Sequence, residues 1–515
     1  MSRLRIEKVS STAEKAASAV ILLLLFAFVL YLGFSAVTES SFLSTDDPSG
    51  EKIIFLDDNI FLNSFVLTIL LAASYLFFRH CESIHPRRME AALLAWVFVA
   101  GSAFIASAKL RSPVYSDSFL VTYGAQRASL GDYSVLTENY FYRFPFQLGY
   151  VLYAELFFRV VGLVLRHAPE GYAVLALQEM NLLWLMLQYH ALIEITGLLF
   201  KDARIRKLLM LLLFLCLPPL LTVTFLYGNI PAFSCGTVAV WMFLGLIKKG
   251  EAHWGILCAL FLALAVTLKL NLLILCVAVG GVWLIMLLKK PSRRSLLCLL
   301  LAAACVLSIP KLPQKFYEMR LHVHYGEGIP MVAWMAMGFD QGHAAPGWYK
   351  EDHTVTAFER SGHDSEATAE NAKQVLKERI AVFRDNPKMA LRFFSEKYKS
   401  QWNEPSFGSL WINQVFPSFS EKGRLYNLIC GRGGKQTLIV MDQLQQMVLF
   451  GLLAGIIRLR IKKDLLRCLL PLILLGGISY HLLFEAKSQY AMPYIVLVLP
   501  IAAYGLYTFF RKLEG

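Results

Sequence analysis

The chain has 515 residues, 57% of them hydrophobic and 17% charged, with a mean hydropathy of +0.52. A soluble domain carries roughly a quarter charged residues, so an ordinary soluble protein is excluded. The net charge of +13 would suggest nucleic acid in a soluble chain. Here the basic clusters lie between apolar runs, so nucleic-acid binding gives way to cytoplasmic loops.

In chain order, the first apolar run is 18–37. It is long enough to cross about 30 Å of hydrocarbon, and no small-residue cleavage site follows, so it reads as a retained helix rather than a signal peptide. Further spans are predicted near 61–78, 90–109, 172–198, 208–226, 231–247, 254–268, 272–288, 296–310, 437–457, 467–483 and 491–509. The fold class is therefore an all-α polytopic membrane protein of about twelve transmembrane helices. Basic stretches fall at 3–8, 79–88, 201–207, 248–249, 289–294, 458–463 and 511–512. With an inside amino terminus and twelve crossings, all of them and both termini lie on the cytoplasmic side of a cell membrane.

A thirteenth apolar run, 146–165, would invert every later loop. It also carries Glu155 and Arg159 in its middle, which is expensive in lipid. It is predicted to lie in the outer interface. The chain then divides into a membrane region, 1–310, with a long outer loop at 110–172. An outer domain follows at 311–436, and C-terminal spans at 437–515. Within the outer domain, 365–401 has the apolar spacing of one or two amphipathic helices, interrupted at Asp385, Asn386 and Pro387. The preceding stretch, 326–364, is rich in Gly, His, aromatics and Asp, a composition suited to lining a site. The nine cysteines show no paired spacing, so neither a disulfide framework nor a zinc site is predicted.

Polar groups worth attention gather at the outer ends of spans. Asp117 can serve as a general base towards a hydroxyl, or cap the helix that follows it. Arg143, among Tyr140, Phe141, Tyr142 and Phe144, can grip a phosphate, or snorkel from an aromatic belt. Lys269 lies at an outer turn, where it needs a partner or the interface. His481, Glu485, Lys487 and Tyr490 put an imidazole, a carboxylate, an ammonium and a phenol within ten positions. That is richer than a turn requires, although a local Glu–Lys pair alone contributes little. Glu179, His190 and Glu194 fall inside one span, and His190 and Glu194 share a face as a structural pair.

Several of these motifs together resemble a family. Asp117 follows an outward-going span; then come Gly131, Asp132 and Tyr133, the stretch Tyr142–Gly149 (Tyr-x-x-Pro-x-Gln-x-Gly) and the late loop Glu485-Ala486-Lys487-Ser488-Gln489-Tyr490. This pattern resembles the GT-C superfamily of polytopic glycosyltransferases, in the branch of polyprenyl-phosphate-mannose protein mannosyltransferases and aminoarabinose transferases. In the outer domain, Trp334, Met337 and Gly338, then Gly347, Trp348 and Tyr349, then Asp352, are similar to a pattern in a bacterial branch of it. Relatives usually carry Arg where Gln489 stands, which shifts phosphate binding to Lys487. The first two spans look like an addition in front of the family's usual first span.

The resemblance implies a single-sugar transferase acting on the outer face with inversion. The donor would be a polyprenyl-phosphate sugar, and the acceptor a hydroxyl on a glycan, lipid or protein. Asp117 would be the base, and Lys487, Arg143 and Lys269 would face the leaving phosphate. Tyr142, Trp334, Trp348, Tyr349, Asp352, His481, Glu485 and Tyr490 would bind substrates. Membrane lipids are implied as surroundings; no nucleotide site is expected, and room is left for a divalent metal. A ligase or polymerase of lipid-linked oligosaccharides is the alternative, and a lipid or sugar transporter a more distant one.

Overall fold

The computed structural model describes residues 3–44, 51–111, 116–164, 171–415, 421–462 and 464–514. Among these, ten helices are long and apolar enough to cross a membrane, and two shorter apolar ones, Ala252–Leu268 and Leu469–Leu483, accompany them. The chain is thus a multi-pass membrane protein. Nine of the ten long helices coincide with predicted spans, and the tenth is Pro145–Val164. The predicted span at 208–226 is divided instead. Cys216 separates the helices Ala203–Leu215 and Leu217–Thr222, because Pro218 and Pro219 cannot continue the hydrogen-bond ladder of the first. One two-stranded antiparallel sheet, Glu39–Leu43 with Ile53–Asp57, interrupts an otherwise helical architecture; Glu39 pairs with Asp57 and Leu43 with Ile53.

The helix Leu148–Val164 lies alongside Ser116–Ser129 but meets Tyr172–Leu199, Ala252–Leu268 and Leu312–Leu321 only briefly. It begins against the end of Ala252–Leu268, where a Cβ on Gly149 would fall 1.9 Å from the carbonyl oxygen of Thr267. Only glycine permits that approach. The charges in its middle are met inside the protein. Buried Glu155 accepts from the Tyr317 hydroxyl at 2.5 Å and from Arg159 at 2.7 Å. Arg159 also donates to the carbonyl of Ala128 at 2.9 Å.

The segment after the span Arg293–Leu321 folds as short helices around two longer ones, Ser365–Asp385 and Pro387–Trp402. Asp364 caps the first through the amides of Glu366 and Ala367, and Asn386 caps the second through that of Met389. The break at 385–387 therefore follows from the proline and its capping asparagine. A cluster of Phe339, Phe383 and Phe393 fills the space between them.

Candidate functional site

Four turns meet at the end of the bundle that carries this segment. Asp117 sits in the first turn of Ser116–Ser129, and Tyr227 just before Asn229–Lys249. Lys269 caps Ala252–Leu268, and residues 484–487 precede the last helix, Ser488–Leu513. The Tyr227 hydroxyl donates to Asp117 Oδ2 at 3.2 Å and accepts from Gln147, while the Tyr140 hydroxyl lies 3.5 Å away. Lys269 Nζ stands 3.6 Å from the centre of the Tyr227 ring and 3.4 Å from its carbonyl oxygen, a cation–π contact in a desolvated place.

Across from this group, Tyr490 donates to Glu485 Oε2 at 3.2 Å, and His481 Nδ1 donates to the Glu485 carbonyl at 3.0 Å. The imidazole stacks on Tyr490 with 5.3 Å between centroids. Lys487 Nζ meets Glu51 at 2.5 Å.

Burial disfavours each charge. It raises the pKa of Asp117, against the lowering pull of Lys487, the Tyr227 hydroxyl and Lys269. It pushes Lys269 down to about 7, opposed by Asp117 and Glu485. It lifts Glu485 to about 7, opposed by Lys487. Lys269 and Glu485 therefore sit near their protonation midpoints at neutral pH, and all three groups respond to one another.

Lys269, His481 and Tyr490 also form the polar end of a cleft of about 490 Å³, whose other walls include Leu272, Leu275, Pro493 and Leu497. A second cavity of about 280 Å³ adjoins Lys487, between Glu51, Phe225, Trp411 and Gln489. The first cleft is lined mostly by apolar side chains with Lys269 in its wall, and the carboxylates and lysines of the neighbouring turns can handle a proton and an anion.

The late loop is held from above. Lys397, with 0% exposure, donates to the carbonyls of Gly338 at 2.5 Å and Phe484 at 2.7 Å. Ala486 N donates to the Gly347 carbonyl at 2.8 Å. Gly347 has φ +73°, and a Cβ there would fall 2.4 Å from Lys397 Cε, so glycine is required both by conformation and by space. Buried Glu404 accepts from the Gly408 amide at 2.5 Å and from the Ser406 amide and hydroxyl.

Asp117, Lys269, His481, Glu485, Lys487 and Tyr490 are thus brought together. Tyr349 lies near Tyr140 at the margin. The remaining sequence candidates stand apart. Arg143 pairs with Glu359. Tyr142 packs on Tyr325 at 5.2 Å, and Trp334 on Phe144 at 6.0 Å. Trp348 is 1% exposed and donates its indole hydrogen to Ser400 at 2.8 Å, so it offers no open face. Asp352 pairs with Lys350 at 2.8 Å. In the span, His190 bonds Glu90 at 2.6 Å rather than Glu194.

Sequence reasoning missed Tyr227, Glu51, Lys397 and Glu404 as site residues. Of these, Tyr227 carried a signal: it stands at a tight outer turn between apolar runs, as Lys269 does. For metals, among the described residues no three His, Cys, Asp or Glu side chains converge as a ligand set. No family model matches the chain, and no curated protein matches it in sequence.

Proposed function

We propose that the protein is a membrane glycosyltransferase that moves one sugar from a polyprenyl-phosphate donor to an acceptor hydroxyl at the outer face of a cell membrane. The observation that carries this reading is the gathering of Asp117 with Lys269 and Lys487, beside an apolar cleft whose wall includes Lys269. In this reading the prenyl chain lies in the cleft and its phosphate faces the lysines. The Asp117 carboxylate accepts the acceptor proton as the hydroxyl attacks the anomeric carbon. The bond from that carbon to the phosphate oxygen breaks on the opposite side, so the configuration inverts. The departing phosphate monoester gains charge, which Lys269 and Lys487 are placed to stabilise. Tyr227 holds the carboxylate in position, and Tyr490 does the same for Glu485.

A transporter is less well supported, because these groups gather at one end of the bundle instead of at mid-span. The test is incubation of purified protein with a panel of polyprenyl-phosphate sugars, following release of the lipid phosphate. Turnover of one donor is expected, and it should be abolished by Asp117→Asn in protein that still inserts and folds. Full activity in that variant would sink the role of Asp117; no turnover with any donor would sink the donor class.

A further inference from the structure

The two N-terminal spans and the hairpin between them read in the sequence as an addition, yet they are sewn into the rest of the molecule. Lys399 Nζ pairs with Glu39 at 2.9 Å, and Asn403 Nδ2 donates to the Glu39 carbonyl at 2.7 Å. Ser41 Oγ donates to the Lys399 carbonyl at 3.3 Å, and Ile53 N to that of Ala344 at 3.4 Å. The strand pair therefore stands on the same segments that clasp the late loop. Two positions before the second strand, Glu51 is carried into the candidate site.

There its carboxylate meets Lys487 Nζ at 2.5 Å, with the two side chains only 11% and 14% exposed. Glu51 is also near enough to Glu485 and Asp117 to raise the pKa of each. Three carboxylates, Asp117, Glu485 and Glu51, thus surround two ammonium groups, Lys269 and Lys487. A phosphate entering this place adds negative charge beside Asp117, Glu485 and Glu51, and like charges at such range repel. It finds Lys487 already engaged by a carboxylate. An arriving anion must take over that contact.

We propose that Glu51 is the resident counter-ion of Lys487, displaced by the phosphate of the incoming lipid, so that the N-terminal hairpin sets how strongly the site discriminates a phosphorylated chain from a neutral one. Glu51 shields the ammonium from solvent between turnovers and weakens every anion by the cost of breaking the ion pair. This inference rests on the polyprenyl-phosphate reading above.

The test uses the full-length protein in phosphatidylcholine nanodiscs with two radiolabelled probes, a polyprenyl monophosphate and the corresponding polyprenol. Glu51→Gln should tighten the phosphate by about tenfold, the order of one charge contact released, and leave the alcohol unchanged. Lys487→Ala should weaken the phosphate and abolish the gain when combined with Glu51→Gln. Glu51→Ala serves as a second variant, and circular dichroism melts confirm that each is folded. A phosphate affinity that falls or stays constant in both Glu51 variants, or a gain that persists without Lys487, would overturn the counter-ion role while leaving the donor reading intact. Failure of the wild-type protein to bind either probe would overturn both.

Discussion

Tyr227 donates its hydroxyl hydrogen to Asp117 across 3.2 Å while its ring lies 3.6 Å beneath the ammonium of Lys269. One side chain therefore touches both the acid and the base of the site, through different parts of its π-system and hydroxyl. Tyr227→Phe separates the two contacts, since it keeps the ring and removes the hydrogen bond. That bond favours the ionised carboxylate, so its loss raises the pKa of Asp117 further. Turnover should fall about ten- to a hundredfold near neutrality, and the acid limb of kcat/KM should move to higher pH. A pH–rate profile that is lower but unshifted would show that the hydroxyl acts elsewhere.

Lys269 must carry its charge to meet a phosphate, and burial brings it down to about 7. In the free protein the ammonium is lost as pH rises through that value, so kcat/KM should decline on the alkaline side. A bound phosphate favours the charged form, so the matching limb in kcat should lie at higher pH. Lys269→Met should remove the alkaline limb altogether and cost about a hundredfold in kcat/KM. Initial rates with saturating and limiting donor separate the two profiles.

Lys397 supplies hydrogen bonds to two buried carbonyls. Lys397→Met keeps the length of the side chain and leaves the oxygens of Gly338 and Phe484 unpaired, at a cost of about 2 kcal/mol or more. The expected outcome is a lower melting temperature in a thermal-shift assay, together with faster proteolysis near 484–487. An unchanged melt would mean that the clasp contributes nothing to the resting fold.

The reading of the helix Leu148–Val164 as an outer-face element predicts on which side its far end lies. Gly162 has open space around its Cα, so Gly162→Cys adds a thiol without disturbing packing. A membrane-impermeant maleimide should label it from the same side as Glu366→Cys, and from the side opposite His253→Cys. Labelling of Gly162→Cys from the side of His253→Cys would make the helix a crossing and invert the later loops.

Much of the helical framework was legible because apolar runs of about twenty residues leave few alternatives. The break at 385–387 was equally plain, since proline and asparagine act locally. The division at Cys216 was hidden because Pro218 and Pro219 lie within an unbroken apolar run, where hydropathy ignores backbone donors. Asp117, Lys269, Glu485 and Lys487 stood out as polar residues at the edges of such runs. Trp348 lies packed in the interior, and composition cannot tell an aromatic face lining a cavity from one packed in a core. Glu51 and Lys397 were invisible. Each is an ordinary charge in a polar segment, and only the tertiary fold delivers it to the late loop, over 400 residues away for Glu51 and nearly 90 for Lys397.

The two short apolar helices have a geometric consequence. Ala252–Leu268 has 17 residues and Leu469–Leu483 has 15, which at 1.5 Å per residue come to about 25 and 22 Å, against roughly 30 Å of hydrocarbon. As crossings anchored at the opposite interface, both stop several ångströms short of the near one. Lys269 and Glu485 follow directly after them. Were both to cross, the neighbouring leaflet would thin or dip to meet these ends, and the charged groups would sit in a shallow depression of the bilayer surface. A long-chain phosphate could slide into reach of Lys269 sideways, with its chain never leaving the oil.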